Sequence, residues 1–223
     1  MTNKNKVWIV FLAILIIVLI VSAYFINRQI KNNKSNIIQN TPTITPTNSS
    51  PIAAPTTITT QAFAEPIAQF KQRITKKPFG IYITPENSPV SPERFTGFHT
   101  GVDVEYQDVD TDVPVYALAD GAIVLSRTAS GYGGVLIIDF KLDGVDHTAL
   151  YGHLRPESLP QVGQSFKKGE QIAVLGTGYS SETDNERRHL HFAILSDNRV
   201  DLKGYVQNES ELSGWIDPLT LYK

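Results

Sequence analysis

A change of texture at Phe63 divides this chain into a part that can build a core and a part that cannot. From Phe63 onward the sequence runs in short apolar stretches punctuated by Gly, Pro and Asp, the pattern of strands set between turns. Val113–Leu118, Ala122–Ser126, Gly134–Phe140, His147–Leu154, Glu170–Gly176 and His189–Leu195 read as strands, rich in Val, Ile, Leu and aromatic residues. Glu65–Arg73 is the one segment patterned like a helix. Lys141-Leu142-Asp143-Gly144 is expected to form a hairpin turn, because Asp-Gly supplies the positive φ angles of a tight connection. The reading is a mostly β fold, an antiparallel sandwich or half-barrel with long loops around a cleft, occupying residues 63–223. In 223 residues, 41% of them hydrophobic, there is room for one such domain and a little accessory sequence.

The accessory sequence lies upstream. Val7–Ile26 contains no charge, and a helix of about twenty residues spans the roughly 30 Å hydrocarbon core of a bilayer. Residues 1–35 are therefore expected to form a membrane anchor with a single transmembrane helix at about 7–26. A secreted protein, cleaved near Ala23, is the rival reading; it is disfavoured because the apolar run exceeds the roughly 7 to 15 residues of a signal core. Residues 36–62 are uncharged and rich in Thr, Pro, Ser and Asn. Such a stretch buries too little apolar surface to offset its ordering entropy, so it reads as a flexible linker. Anchor and tether together suit a domain displayed on the extracytoplasmic side of a cell membrane.

Residues 1–62 hold five of the 20 basic side chains and none of the 22 acidic ones, which leaves a net charge of about −7 on residues 63–223. An acidic domain is a poor partner for nucleic acid, whose phosphates need a basic face. The absence of cysteine excludes disulfides and thiolate metal sites, so any bound metal must be held by imidazole and carboxylate.

Four of the five histidines fall in three short phrases: His99 with Asp103, His153, and the pair His189 and His191. Imidazoles with one carboxylate are the ligand set of a hydrolytic zinc centre. In His189-Leu190-His191 the strand period of two sends both imidazoles, and Ala193, to one face, with Leu190, Phe192 and Ile194 turned to the core. His99 and Asp103 would lie about 13 Å apart along a continuous strand, too far to share an ion, so the chain is expected to bend between them at Gly101. Gly152, before His153, is expected to admit a neighbouring backbone, and His147 to be a solvent-exposed bystander. The acidic run Asp108–Asp112 lacks the glycine and glutamate spacing of a calcium loop and reads as solvated surface.

The sequence from about residue 71 to 221 resembles the lysostaphin and LytM-type zinc metallopeptidases, bacterial cell-wall endopeptidases. The resemblance rests on several phrases in order: His99-Thr100-Gly101-Val102-Asp103, Pro114–Ala117 with Asp120-Gly121, Gly131-Tyr132-Gly133, Tyr151–Leu154 and His189–Phe192. It implies one Zn2+ per chain on His99, Asp103 and His191, with His153 and His189 as an unligated catalytic pair, and peptidoglycan peptides as substrate. A noncatalytic peptidoglycan-binding or envelope scaffold protein is the alternative, opposed by the intact ligands. Two departures stand out. Tyr179–Arg188, before the His-x-His phrase, is longer and more charged than the usual link and should border the cleft, and Ala193 stands where many relatives carry Glu.

Overall fold

The computed structural model describes residues 63–222; the expected anchor, the signal-cleavage point near Ala23 and the linker lie outside them. Among the described residues no helix is long and apolar enough to cross a membrane. The strands are β1 (Tyr82–Ile83), β2 (Gly97–His99), β3 (Val102–Glu105), β4 (Pro114–Tyr116), β5 (Gly121–Ala129), β6 (Gly133–Leu142), β7 (Val145–Leu154), β8 (Ser165–Phe166), β9 (Gln171–Val174), β10 (His189–Leu195), β11 (Tyr205–Val206) and β12 (Trp215–Ile216). Helical structure among the described residues is confined to short 3-10 turns.

The main sheet is antiparallel in the order β12-β10-β7-β6-β5-β8, with β3 also paired to β10. Three-stranded β1-β2-β11 and two-stranded β4-β9 flank it. The mostly β, antiparallel expectation holds, and β10 runs over the expected residues. The β6–β7 hairpin turns at Asp143 and Gly144, with φ of 51° and 82°, as the Asp-Gly pair requires.

Apolar clusters cover both faces of the sheet. On one lie Leu136, Ile138, Ala149, Tyr151, Leu190, Phe192 and Ile194; on the other lie Val135, Ile137, Leu150, Ala193 and Leu195. Phe192 meets Phe70 edge to face at 5.7 Å and Tyr151 at 5.0 Å, and the Tyr151 hydroxyl accepts the Leu118 amide at 3.0 Å. This packing fixes the register of β10, since a one-residue slip would drive both histidines into the aromatic core.

Three expectations are corrected. Glu65–Arg73 is not a helix: Tyr116 donates its amide to Pro66, Ile67 bridges Val115, and Gln69 has a φ of 55°. The neighbouring β4 offers this segment extended pairing, which overrides its local periodicity. His147 is buried rather than exposed, with Nδ1 donating to Leu195 O at 3.1 Å and the ring beside Phe140, although it stands apart from the other histidines as expected. Gly152 admits a side chain, not a backbone: a Cβ there would lie 2.4 Å from Tyr132 Cδ1. The Asp108–Asp112 run is surface as read, with Asp108 and Asp112 paired to Arg73 and Arg155.

Candidate metal centre and cleft

Sheet register assembles the site. His191 stands opposite Asp103 on one side and Gly152 on the other, while His189 stands opposite Glu105. The chain turns between β2 and β3 at Thr100 and Gly101, where a Cβ would lie 2.5 Å from Phe192 O. That bend folds His99 back onto Asp103, so that residues four apart meet at 3.2 Å between Nε2 and Oδ1. The expected kink at Gly101 is present, and the small Ala193 makes room for it.

Three ligand atoms converge: His99 Nε2 lies 3.0 Å from His191 Nδ1, and Asp103 Oδ1 lies 3.1 Å from His191 Nδ1. Tetrahedral zinc with bonds of about 2.0–2.1 Å has ligand-to-ligand edges of about 3.3 Å, so this triangle fits. The proton inventory agrees. His99 Nδ1 must donate to Pro78 O at 3.2 Å, which leaves Nε2 of the neutral ring as a lone pair. A lone pair, a carboxylate oxygen and a second imidazole nitrogen point at one another, and a divalent cation between them satisfies all three. His99, Asp103 and His191 are the one such metal-ligand group among the described residues, and all are buried.

His153 and His189 stand beside this triangle with ring centroids 4.2 Å apart. His153 Nδ1 donates to Thr183 O at 3.3 Å and His189 Nδ1 to Arg187 O at 2.8 Å. Each neutral ring therefore turns Nε2 away from its carbonyl partner as an acceptor. Burial drives both downward, His153 to about 3 and His189 well below the ordinary histidine value, so both are neutral near pH 7. Burial also pushes the Asp103 carboxyl up, but the charge that His189 and His99 carry when protonated and the permanent charge of the Arg187 guanidinium outweigh it and hold the group well below the usual carboxylate range. A cleft of about 290 Å3 opens here, lined by Asp103, His153, His189 and His191 together with Phe95 and Tyr132.

Several residues of this site carried no signal at the sequence level. Arg187 is buried against Asp103 and Glu105. Tyr132 lies 5.5 Å from both the His153 and His191 rings. Lys77 is buried in an ion pair with Glu93 and donates to the Tyr205 hydroxyl at 3.0 Å. The Gly131-Tyr132-Gly133 phrase was visible, but nothing in it marks the ring as a wall of the cleft. The Tyr179–Arg188 loop borders the cleft as expected, and it also supplies the carbonyls of Thr183 and Arg187 that orient His153 and His189.

Fold and site together define an antiparallel β domain in which His99, Asp103 and His191 could hold a metal ion beside the His153 and His189 imidazoles in an open cleft. Residues 97–202 match the sequence model of Peptidase family M23. A Haemophilus influenzae (strain Rd) protein described as an uncharacterized metalloprotease is 34% identical over 122 residues, which cover 51% of this chain and 23% of that protein. The chain thus spans less than a quarter of the length of the curated relative it matches. Among solved structures, LytU is 27% identical, with 66% of this chain and 81% of that one covered and a TM-score of 0.43. Lysostaphin is 25% identical, with 68% and 54% covered and a TM-score of 0.41. Over residues 97–202 the chain is thus similar to the metallopeptidases of family M23.

Proposed function

We propose that the chain is a zinc-dependent endopeptidase that hydrolyses peptide bonds in peptidoglycan stems or cross-bridges, anchored by residues 7–26 with its domain outside the cytoplasmic membrane. The observation that carries this reading is the triangle of His99 Nε2, Asp103 Oδ1 and His191 Nδ1, with edges of 3.0–3.2 Å, beside two imidazoles held neutral. A zinc ion bound there would polarise the scissile carbonyl and supply a water acidic enough to attack it near neutral pH. His153 and His189 do the proton work. Their Nδ1 atoms are committed to Thr183 O and Arg187 O, so Nε2 is the atom that accepts a proton from the attacking water and delivers one to the leaving amine. The acidic domain tolerates the free amines of wall peptides, and the linker gives the tether length to reach them.

The test uses the full-length chain. Purified protein should hold one zinc per chain and release new amino termini from cell-wall sacculi until a chelator is added. Asp103→Ala should lose the zinc. His153→Ala should keep it and lose about 100- to 10,000-fold in rate. A zinc-free protein that still captures sacculi would overturn the enzymatic reading in favour of a wall-binding one.

A further inference from the structure

The Asp103 carboxylate uses its two oxygens for different tasks. Oδ1 joins the triangle with His99 and His191, while Oδ2 accepts Arg187 Nη2 at 2.7 Å. That guanidinium is itself aimed by Glu105: Nη2 also reaches Glu105 Oε1 at 2.8 Å, and Nε reaches Oε1 and Oε2 at 3.1 and 3.0 Å. Asp103 and Glu105 are two residues apart on β3 and share a buried face, where two carboxylates side by side repel unless a cation separates them. We propose that Arg187 is a positioning residue that commits Asp103 to one-oxygen metal ligation, a support built into the Tyr179–Arg188 loop of this chain.

The chemistry favours arginine for this task. A planar fork can lie flat against Glu105 and still present a fixed N–H to Asp103, whereas a lysine ammonium offers one point charge and no fixed plane. The partner of a ligating carboxylate fixes which lone pair meets the metal, and its loss weakens metal binding without removing a ligand. The same residue turns its carbonyl to His189 Nδ1, so a single loop position orients a ligand and a neighbouring imidazole. The inference rests on the zinc reading above.

The experiment measures zinc affinity of the full-length chain by competition with a chromogenic chelator. Arg187→Gln should bind zinc about 10- to 100-fold more weakly than the parent. Arg187→Lys should fall between the two. If Arg187 served only to neutralise Glu105, adding Glu105→Gln to Arg187→Gln would restore parental affinity; the expected result is that it does not. Parental affinity in Arg187→Gln, or full restoration in the double variant, overturns the inference. Should Arg187→Gln fail to fold, Arg187→Lys keeps the buried charge and decides the matter, since unchanged affinity there also overturns it. A parent chain that binds no zinc would sink the zinc reading instead, so the two failures are distinguishable.

Discussion

Glu93→Gln removes the charge that pairs with Lys77, a residue lining the cleft, and leaves nearly every atom in place. The Lys77 and Glu93 side chains are 2% and 1% exposed, so the pair is fully buried. Glu93 Oε2 accepts Lys77 Nζ and the Ser88 hydroxyl, and Oε1 accepts the Arg94 and Phe95 amides at 2.9 and 3.0 Å. The carboxylate thus pins the segment whose next residues, Phe95 and Thr96, line the cleft. Glutamine can keep the two amides satisfied, but Lys77 is left as a buried cation with only the Tyr205 hydroxyl. Breaking a buried pair in this way costs about 3–5 kcal/mol, a large fraction of a domain's stability. At about 2–4 °C per kcal/mol for a domain of this size, a loss near 4 kcal/mol lowers the melting temperature by about 8–16 °C. The assay is thermal and urea unfolding in chelator, so that metal binding does not contribute. Adding Lys77→Met removes the orphaned charge and should recover most of the loss. A Glu93→Gln shift below about 1 kcal/mol, or no recovery in the double variant, would refute the reasoning.

Two further outcomes concern the imidazoles and their neighbours. The folded-state value of His153 lies near 3, below its unfolded value, so its contribution to stability is complete above about pH 6.5 and is lost as pH falls toward 3, at about 1.4 kcal/mol per unit. Urea melts of metal-free protein between pH 7 and 5 should therefore flatten in His153→Gln, and an unchanged slope would count against a buried neutral imidazole. Gly152→Ala places a methyl 2.4 Å from Tyr132 Cδ1 and should destabilise by about 1–3 kcal/mol while lowering turnover, because the Tyr132 ring abuts both His153 and His191. Parental melting temperature and activity in that variant would show that the ring yields freely.

Much of the site was legible because ligand chemistry and strand period are local properties. The alternation in His189–Leu195 correctly sent the histidines to one face, and the distance limit on His99 and Asp103 correctly demanded a bend. What stayed hidden depends on contacts between segments far apart in sequence. Glu65–Arg73 carries a helical pattern that yields to pairing with β4. His147 looked like surface beside a turn, yet lies under Phe140 and Leu195. Arg187 sits in a charged stretch that reads as a solvated lip, and only the neighbouring register of Asp103 and Glu105 gives its charge a buried purpose.

His153 shows how the backbone overrides the strand period where the site needs it. Along β7, Tyr151 faces the aromatic core and Gly152 faces the cleft, so strict alternation would return His153 to the core. The register prevents this: Val135 pairs with Gly152 and Gly134 with Leu154, which leaves His153 as an extra residue with a φ of 62°. A bulge of this kind re-aims a side chain, and here it turns the imidazole toward His189. Holding a non-glycine residue in that region costs of order 1–3 kcal/mol, offset by the surrounding sheet. Gly134 makes the arrangement possible, since a Cβ there would lie 2.2 Å from Leu154 O. Placement of the second imidazole is therefore written in the glycine opposite as much as in His153. A variant that fills Gly134 should disturb His153 while leaving His99, Asp103 and His191, which sit on other strands, able to hold zinc.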